Sequence, residues 1–365
     1  MLSRRIALTV VTALGVIVLY SALSTLLSSE APVHLLAPDG KNESLVLRGK
    51  VGSYAGLWQL DTGYAGPPVL STSYLATQRP TMPTTSVAAE YAAARTAMGD
   101  TAVTTEARLA AVDAFVRATG AFSYTSGCTM NLAGISGVVT QQADMMVCPP
   151  LALGGQASPK EWAAVRADVF VTNPLPNSVH ILTIDYLLSV APVCLELGRG
   201  ALRTRVPVAS MAILAPTFSA PAPLELSGGA PVVRLAVGGV AFRCTLDTGS
   251  PTGVALGKEA SRALTAVEGA RPLARHVVQT GVNGERLCGA LVSAPVSFLG
   301  FVVDDAPVLC NDVDTEGVDG YVGMAFLRGF DLLLTSSTLR ARRSTKAPRS
   351  SSEFERVSRP GGCGA

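Results

Sequence analysis

The sequence predicts a mostly β protein built as two related halves with a cleft between them, with a few short helices. Three observations carry that expectation. Composition is the first: 48% hydrophobic and only 15% charged residues, with 35 Gly and 23 Pro, suit strands and turns better than a helical bundle. The second is an internal repeat, in which the stretch ending at Asp61-Thr62-Gly63 aligns without gaps on the one ending at Asp247-Thr248-Gly249. Length is the third, since 365 residues suffice for two middling domains, each with a core of its own.

The repeat extends well beyond the tripeptides. Val46 falls on Val232, Arg48 on Arg234, Val51 on Val237, Gly52 on Gly238, Ala55 on Ala241 and Leu60 on Leu246. Each copy reads as a hairpin of alternating apolar residues whose second strand ends in Asp-Thr-Gly. Downstream, the run from Val179 to Leu187 matches that from Asp319 to Leu327: a short apolar strand, a small residue, then an aromatic-Leu pair. The first half carries extra sequence, an Ala-rich stretch with Leu109, Val112, Phe115 and Val116 on one helical face. Thr104 or Thr105 could cap its start and Gly120 its end. Pro216, Pro221, Pro223, Gly228 and Gly229 mark a linker. The expected organisation is an N-terminal segment 1–29, a first lobe 30–200, a linker 201–230, a second lobe 231–340 and a solvated basic tail 341–365.

Arg4 and Arg5 precede an uncharged, mostly apolar run from Ile6 to about Leu27. That run is long enough to span a bilayer, which takes about 20 residues. The arginines would stay on the cytoplasmic side and send the body across, giving a single-pass type II protein. A cleaved signal peptide and a secreted body is the other reading. Either way the body meets a lumen or the cell exterior, where Asn42-Glu43-Ser44 is a usable glycosylation sequon. Seven cysteines suit such an oxidising compartment, while the absence of Cys-x-x-Cys and the wide separation of His34, His180 and His276 argue against a metal site. Spacing within the repeat pairs Cys128 with Cys148 and Cys288 with Cys310, leaving Cys363 in the tail as the expected orphan. A net charge of +2 without a basic stripe argues against nucleic acid as a partner.

Two Asp-Thr-Gly turns related by a repeat suit one kind of chemistry. Hydrolysing an amide without a metal or covalent intermediate needs an activated water and a proton for the leaving nitrogen. One carboxyl must be ionised while its neighbour carries a proton. Two carboxyls a few Å apart separate their proton affinities in this way. Asp61 and Asp247 are the expected pair. Gly63 and Gly249 allow the tight turns, Thr62 and Thr248 can bond across the interface, and Ser250 can donate to Asp247.

On these residues the chain resembles the pepsin-like aspartic proteases, whose two lobes each supply one Asp-Thr-Gly. Leu246-Asp247-Thr248-Gly249-Ser250 is the closest match to their motif, and Tyr321-Val322-Gly323 matches the element that threads beneath it. Tyr124-Thr125-Ser126-Gly127, followed by Gly134 and Gly137, resembles their flap, with Tyr124 as its lid residue or else as an ordinary hairpin tyrosine. Gly281-Val282-Asn283-Gly284 is a hairpin turn that could lie opposite. The approach strands also resemble the single-lobe retroviral type. The resemblance implies closed antiparallel sheets related by a pseudo-twofold repeat. It implies a monomeric endopeptidase acting on protein or peptide, with no cofactor and no metal. Two departures favour an alternative, an inactive relative that binds peptides in the cleft. Tyr64 stands where a small residue is usual, and Thr183 stands where a glycine is expected. No Gly-x-Ser-x-Gly elbow, Cys-His pairing or phosphate-binding Gly-Lys-Ser/Thr loop supports another hydrolase or a nucleotide site.

Overall fold

The computed structural model describes residues 33–34, 45–51, 54–64, 68–71, 124–133, 139–148, 151–153, 168–173, 180–204, 206, 208–227, 229–265, 270–280, 286–315 and 317–344. The N-terminal apolar run, Asn42, the Ala-rich segment around Leu109 and the basic tail with Cys363 lie outside the described residues. Among those described, no helix is long and apolar enough to cross a membrane.

Strands dominate. The first part of the chain gives β1 (Val33–His34), β2 (Leu45–Val51), β3 (Tyr54–Asp61), β4 (Val69–Ser71), β5 (Tyr124–Ala133) and β6 (Val139–Cys148). Then come β7 (Leu151–Leu153), β8 (Asp168–Asn173), β9 (His180–Thr183), helix α1 (Ile184–Val190), β10 (Val193–Glu196) and β11 (Ala201–Arg203). Helix α2 (Val208–Leu214), β12 (Ala222–Pro223) and β13 (Glu225–Ser227) lead into β14 (Ala230–Val237), β15 (Val240–Asp247) and β16 (Val254–Leu256). The remainder is α3 (Lys258–Thr265), β17 (Arg271–Thr280), β18 (Arg286–Phe298), β19 (Phe301–Asn311), β20 (Gly320–Gly323), α4 (Met324–Leu327), β21 (Phe330–Leu334) and β22 (Thr338–Arg343).

These strands form two eight-stranded sheets and one six-stranded sheet. One eight-stranded sheet runs β7-β2-β3-β9-β4-β8-β6-β5, the other β13-β14-β15-β20-β16-β19-β18-β17. From the second position onward the two orders match strand for strand as the sequence repeat aligns them, β2 on β14, β3 on β15 and β9 on β20. The β14–β15 hairpin closes through Gly238 and Gly239 at φ +57° and +86°, the left-handed pair that a two-residue hairpin turn requires. Burial alternates along β14 and β15, with Val233, Leu235 and Val237 buried against Phe242, Cys244 and Leu246. Gly49 on β2 has its own packing reason: a Cβ there would come within 2.6 Å of the Trp58 ring.

The six-stranded sheet, β1-β11-β10-β21-β22-β12, draws three strands from before residue 204 and three from after 221. Its β10–β21 pairing is where the two parts of the chain meet. The stretch 201–230 thus contributes β11, α2, β12 and β13, and β11 and β12 lie within this shared sheet. A single hydrophobic cluster runs from Trp58, Leu60 and Leu182 to Phe298, Phe326 and Phe330. The three phenylalanines pack with ring centroids 5.1 to 5.7 Å apart.

The cysteines depart from expectation. Cys288 is disulfide-bonded, whereas Cys194, Cys244 and Cys310 are free thiols, so Cys288 and Cys310 are not bridged to each other. The register explains why. Cys310 stands opposite Ala290 and Asn311 opposite Gly289, which makes Cys288 a diagonal neighbour of Cys310. Diagonal positions lie about 7–8 Å apart, beyond the reach of a relaxed disulfide. Both residues instead border one surface cavity of about 290 Å³. Cys128 and Cys148 lie on β5 and β6, and their side chains are outside the described residues.

Candidate active site

β3 and β15 end at Asp61 and Asp247, and the short loop after each returns its backbone to the carboxylate. Gly63 and Tyr64 each donate an amide N–H to Asp61 Oδ1 at 3.0 Å. Gly249 and Ser250 do the same to Asp247 Oδ1, at 2.9 and 3.0 Å. Each aspartate therefore closes its own turn and is fixed in direction by two backbone donors.

The loops are locked to each other through their threonines. Thr62 Oγ donates to the Leu246 carbonyl at 2.6 Å and accepts from the Thr248 N–H at 3.0 Å. Thr248 Oγ reciprocates, donating to the Leu60 carbonyl at 2.7 Å and accepting from the Thr62 N–H at 3.1 Å. Both side chains are buried. The pairing spans more than 180 residues of sequence and is symmetric, so neither loop can shift without breaking bonds on both sides.

Glycine is required beside each carboxylate for a concrete reason. A Cβ on Gly249 would fall 2.5 Å from Oδ2 of Asp61, and one on Gly63 would fall 2.5 Å from the Asp247 carboxyl carbon. Each carboxylate thus rests on the other loop's glycine, and the two carboxyls share a hydrogen bond. Burial raises the proton affinity of both above the usual 3.8. The negative charge of Asp61 raises Asp247 further, and the two amide donors on each carboxyl oppose its rise. The pair therefore titrates as a unit and holds a proton above the usual carboxylate range. Both residues are still partly exposed, so water and solute can reach them.

Beneath each loop a strand runs parallel in the same register. Asp61 lies beside Thr183 and Asp247 beside Gly323. Replacing the expected glycine by Thr183 thus leaves the first register intact. Thr183 is fully buried, and its hydroxyl caps α1 by accepting from the Tyr186 N–H at 3.4 Å. At Gly323 a side chain would collide with the carbonyl of Thr252, which closes the loop after Asp247 against α4.

Ser250 differs from its sequence reading. Its backbone N–H supports Asp247, while its hydroxyl lies 2.8 Å from Thr252 Oγ and is engaged there. Thr252, two residues on, is the residue sequence reasoning missed, and a Ser-x-Thr spacing was the available signal. Also unforeseen is His180, buried on β9 and stacked on Trp58 at 4.7 Å, where burial lowers it to about 4. Tyr124 opens β5 opposite Val147 on β6, and Gly127 follows on the same strand. Their hairpin exists as expected, but their side chains are outside the described residues. The Gly281–Gly284 turn is flanked by the paired ends Thr280 and Arg286, although the turn itself is not described. Among the described residues no group of three or more side chains is placed to hold a metal ion.

Chemically, the arrangement presents two carboxyls sharing a proton in a partly dehydrated, rigidly held setting that solvent can enter. It is suited to taking a proton from a water while giving one to a neighbouring atom.

No family model matches the chain, and no curated protein matches it. Among solved structures, the EIAV protease complexed with the inhibitor HBY-793 is similar over 26% of this chain and 83% of its own, at 14% identity and a TM-score of 0.22. A retropepsin-like aspartic protease from Rickettsia conorii is similar over 34% of this chain and 94% of its own, at 15% identity and a TM-score of 0.24. Likeness at that level does not place the chain in a family.

Proposed function

We propose that the chain is an aspartic endopeptidase of the two-lobed, pepsin-like type, with Asp61 and Asp247 as its catalytic carboxylates. The observation that carries the reading is the reciprocal Thr62–Thr248 lock, which brings two partly buried, proton-sharing carboxyls together from the two copies of a repeat. In this reading Asp61, the ionised member, takes a proton from a water held between the carboxyls. Asp247 gives its proton to the peptide carbonyl oxygen as the water oxygen attacks the carbon. The proton on Asp61 then passes to the departing nitrogen as the C–N bond breaks, and Asp247 recovers its own from the tetrahedral hydroxyl. Every step uses groups already held in place, so little reorganisation is needed. The substrate is a protein or peptide lying across the cleft. The N-terminal apolar run anchors the body to a membrane or directs its secretion, with Asn42 on the luminal side.

The test is cleavage of an unfolded protein by the purified full chain from acidic to neutral pH, with Asp61→Asn and Asp247→Asn alongside. Loss of at least a hundredfold in each variant is expected, because the dyad acts as a unit. Cleavage that persists in both variants would remove the assignment. A folded wild type that binds peptides without cleaving them would favour the alternative, a peptide-binding relative, with Tyr64 the first residue to revert.

A further inference from the structure

The six-stranded sheet joins the two parts of the chain at β10–β21, and that register sets Glu196 directly opposite Asp331, both buried. Directly opposite side chains share one face of a sheet, with Cβ atoms about 5 Å apart. Glu196 Oε1 accepts from Arg203 Nε at 2.8 Å, while Oε2 lies 3.9 Å from Arg199 Nη1, too far for a hydrogen bond. Asp331 Oδ2 accepts from Arg342 Nε at 3.0 Å, but Oδ1 is buried without a hydrogen-bond partner. A dehydrated carboxylate oxygen with no donor is costly, and this one faces a second carboxylate. The groups around it do not supply the missing donor. Arg340 is engaged with the carbonyls of Ala215 and Ser219, and Arg342 turns its other nitrogen to the Thr217 hydroxyl. The Cys194 thiol, two residues along β10, is pushed up to about 12 by burial and carries no charge. Helix α2 has no titratable side chain. What Asp331 Oδ1 lacks is a proton of its own.

We propose that Glu196 and Asp331 form an acid-operated clasp between the two parts of the chain, closed by one proton taken up from solvent. Asp331 Oδ1 then carries that proton and donates it to the Glu196 carboxylate across β10–β21. A repulsion between charges becomes a hydrogen bond to a charged acceptor, one of the stronger kind. The contacts of Arg203 and Arg342 stay as they are. The direction agrees: burial, and after it the Glu196 charge, raises Asp331 above 3.8 against the pull of Arg342. A group raised on folding contributes stability that is fully present below 3.8 and is lost as pH rises through the folded value. The seam is thus firmest in acid and loosens towards neutrality. Compartment pH then governs how firmly the halves are joined, through a pair of residues outside the dyad.

The experiment measures melting of the full chain from pH 7 down to about 3.8, as wild type, Asp331→Asn, Glu196→Gln and the double variant. Either amide replaces the shared proton with a permanent donor, and the dyad's own pH dependence cancels on comparison with wild type. Asp331→Asn should melt above wild type at neutral pH by about 2 °C or more, with the gap closing in acid. The double variant should gain less than the sum of the singles, since each relieves the same contact. A gap independent of pH, fully additive variants, or an Asp331→Asn chain that melts below wild type or fails to fold would each overturn the proposal. An activity arm rests on the peptidase reading: cleavage assayed in acid after incubation at neutral pH should decline more slowly in Asp331→Asn than in wild type. Equal decline would overturn the control of the active form by the clasp. A wild type that never cleaves would strike the peptidase reading instead, and the melting arm would still decide the clasp.

Discussion

Asp247 is held in a position that suits proton transfer and costs stability, and the sign of that cost can be worked out. Its carboxyl binds a proton more tightly in the folded protein than the unfolded value of 3.8, chiefly through burial and then through the charge on Asp61. A group raised on folding contributes stability that is fully present below its unfolded value and is lost as pH rises through the folded one. At neutral pH the dyad therefore opposes folding. Asp247→Asn, which keeps the shape and removes the charge, should melt above wild type at neutral pH, with the gap closing as the pH falls to about 3.8. Melting curves across that range check this, and a gap that does not change with pH would mean the substitution acts through packing. The neighbouring hydroxyls do not offset the cost, since Ser250 is engaged with Thr252 and Tyr64 is unpartnered.

At the scale of an element, the strand–loop unit ending in Asp-Thr-Gly repeats, and its glycine explains why the tripeptide is invariant between the copies. Gly249 sits against Asp61, and a methyl there would have to displace the carboxylate by on the order of an ångström, given a 2.5 Å approach. A displacement of that size costs about a hundredfold in rate where geometry is already set for reaction. Gly249→Ala should therefore lose about a hundredfold in kcat while remaining folded, because the Thr62–Thr248 bonds do not pass through that side chain. Circular dichroism paired with kcat would check it, and a near-normal kcat would show that the loops yield freely. This unit was legible in the sequence because its ingredients are local: alternating apolar residues, a turn glycine and a carboxylate that bonds its own loop. The threonine lock was legible for the same reason, since the repeat placed both hydroxyls symmetrically. What depended on register was not. The expected Cys288–Cys310 bridge fails because Cys310 faces Ala290, and a spacing comparison carries no information about which residues end up opposite. The Ser250 hydroxyl was misdirected likewise, as its choice between Asp247 and Thr252 is made by loop geometry.

For the molecule as a whole, a second join between the two parts of the chain, besides the threonine lock, is the six-stranded sheet, whose central pairing of β10 with β21 sets Glu196 directly opposite Asp331. Two buried carboxylates side by side would repel, and each is matched by an arginine from the next strand out. Arg203 meets Glu196 at 2.8 Å, and Arg342 meets Asp331 at 3.0 Å while also lying over the Phe218 ring. Burial raises the Asp331 carboxyl above 3.8 and Arg342 opposes that rise. Arg342→Met retains much of the side-chain stem but leaves a buried charge without its partner, which costs about 3 kcal/mol in comparable settings. The sign follows from linkage. Without the arginine the folded-state affinity of Asp331 for a proton climbs, so the missing stability returns as the carboxyl becomes protonated at acidic pH. Urea unfolding should thus show the variant about 3 kcal/mol less stable than wild type at neutral pH and closer to it in acid. Equal losses at both would mean that Arg342 acts through its contact with Phe218 and not through Asp331. Since the Thr62–Thr248 lock and this seam both bridge the two parts of the chain, a weakened seam should also lower activity at neutral pH more than in acid. That links the pH range in which the dyad can work to the pH range in which its two supporting halves stay joined.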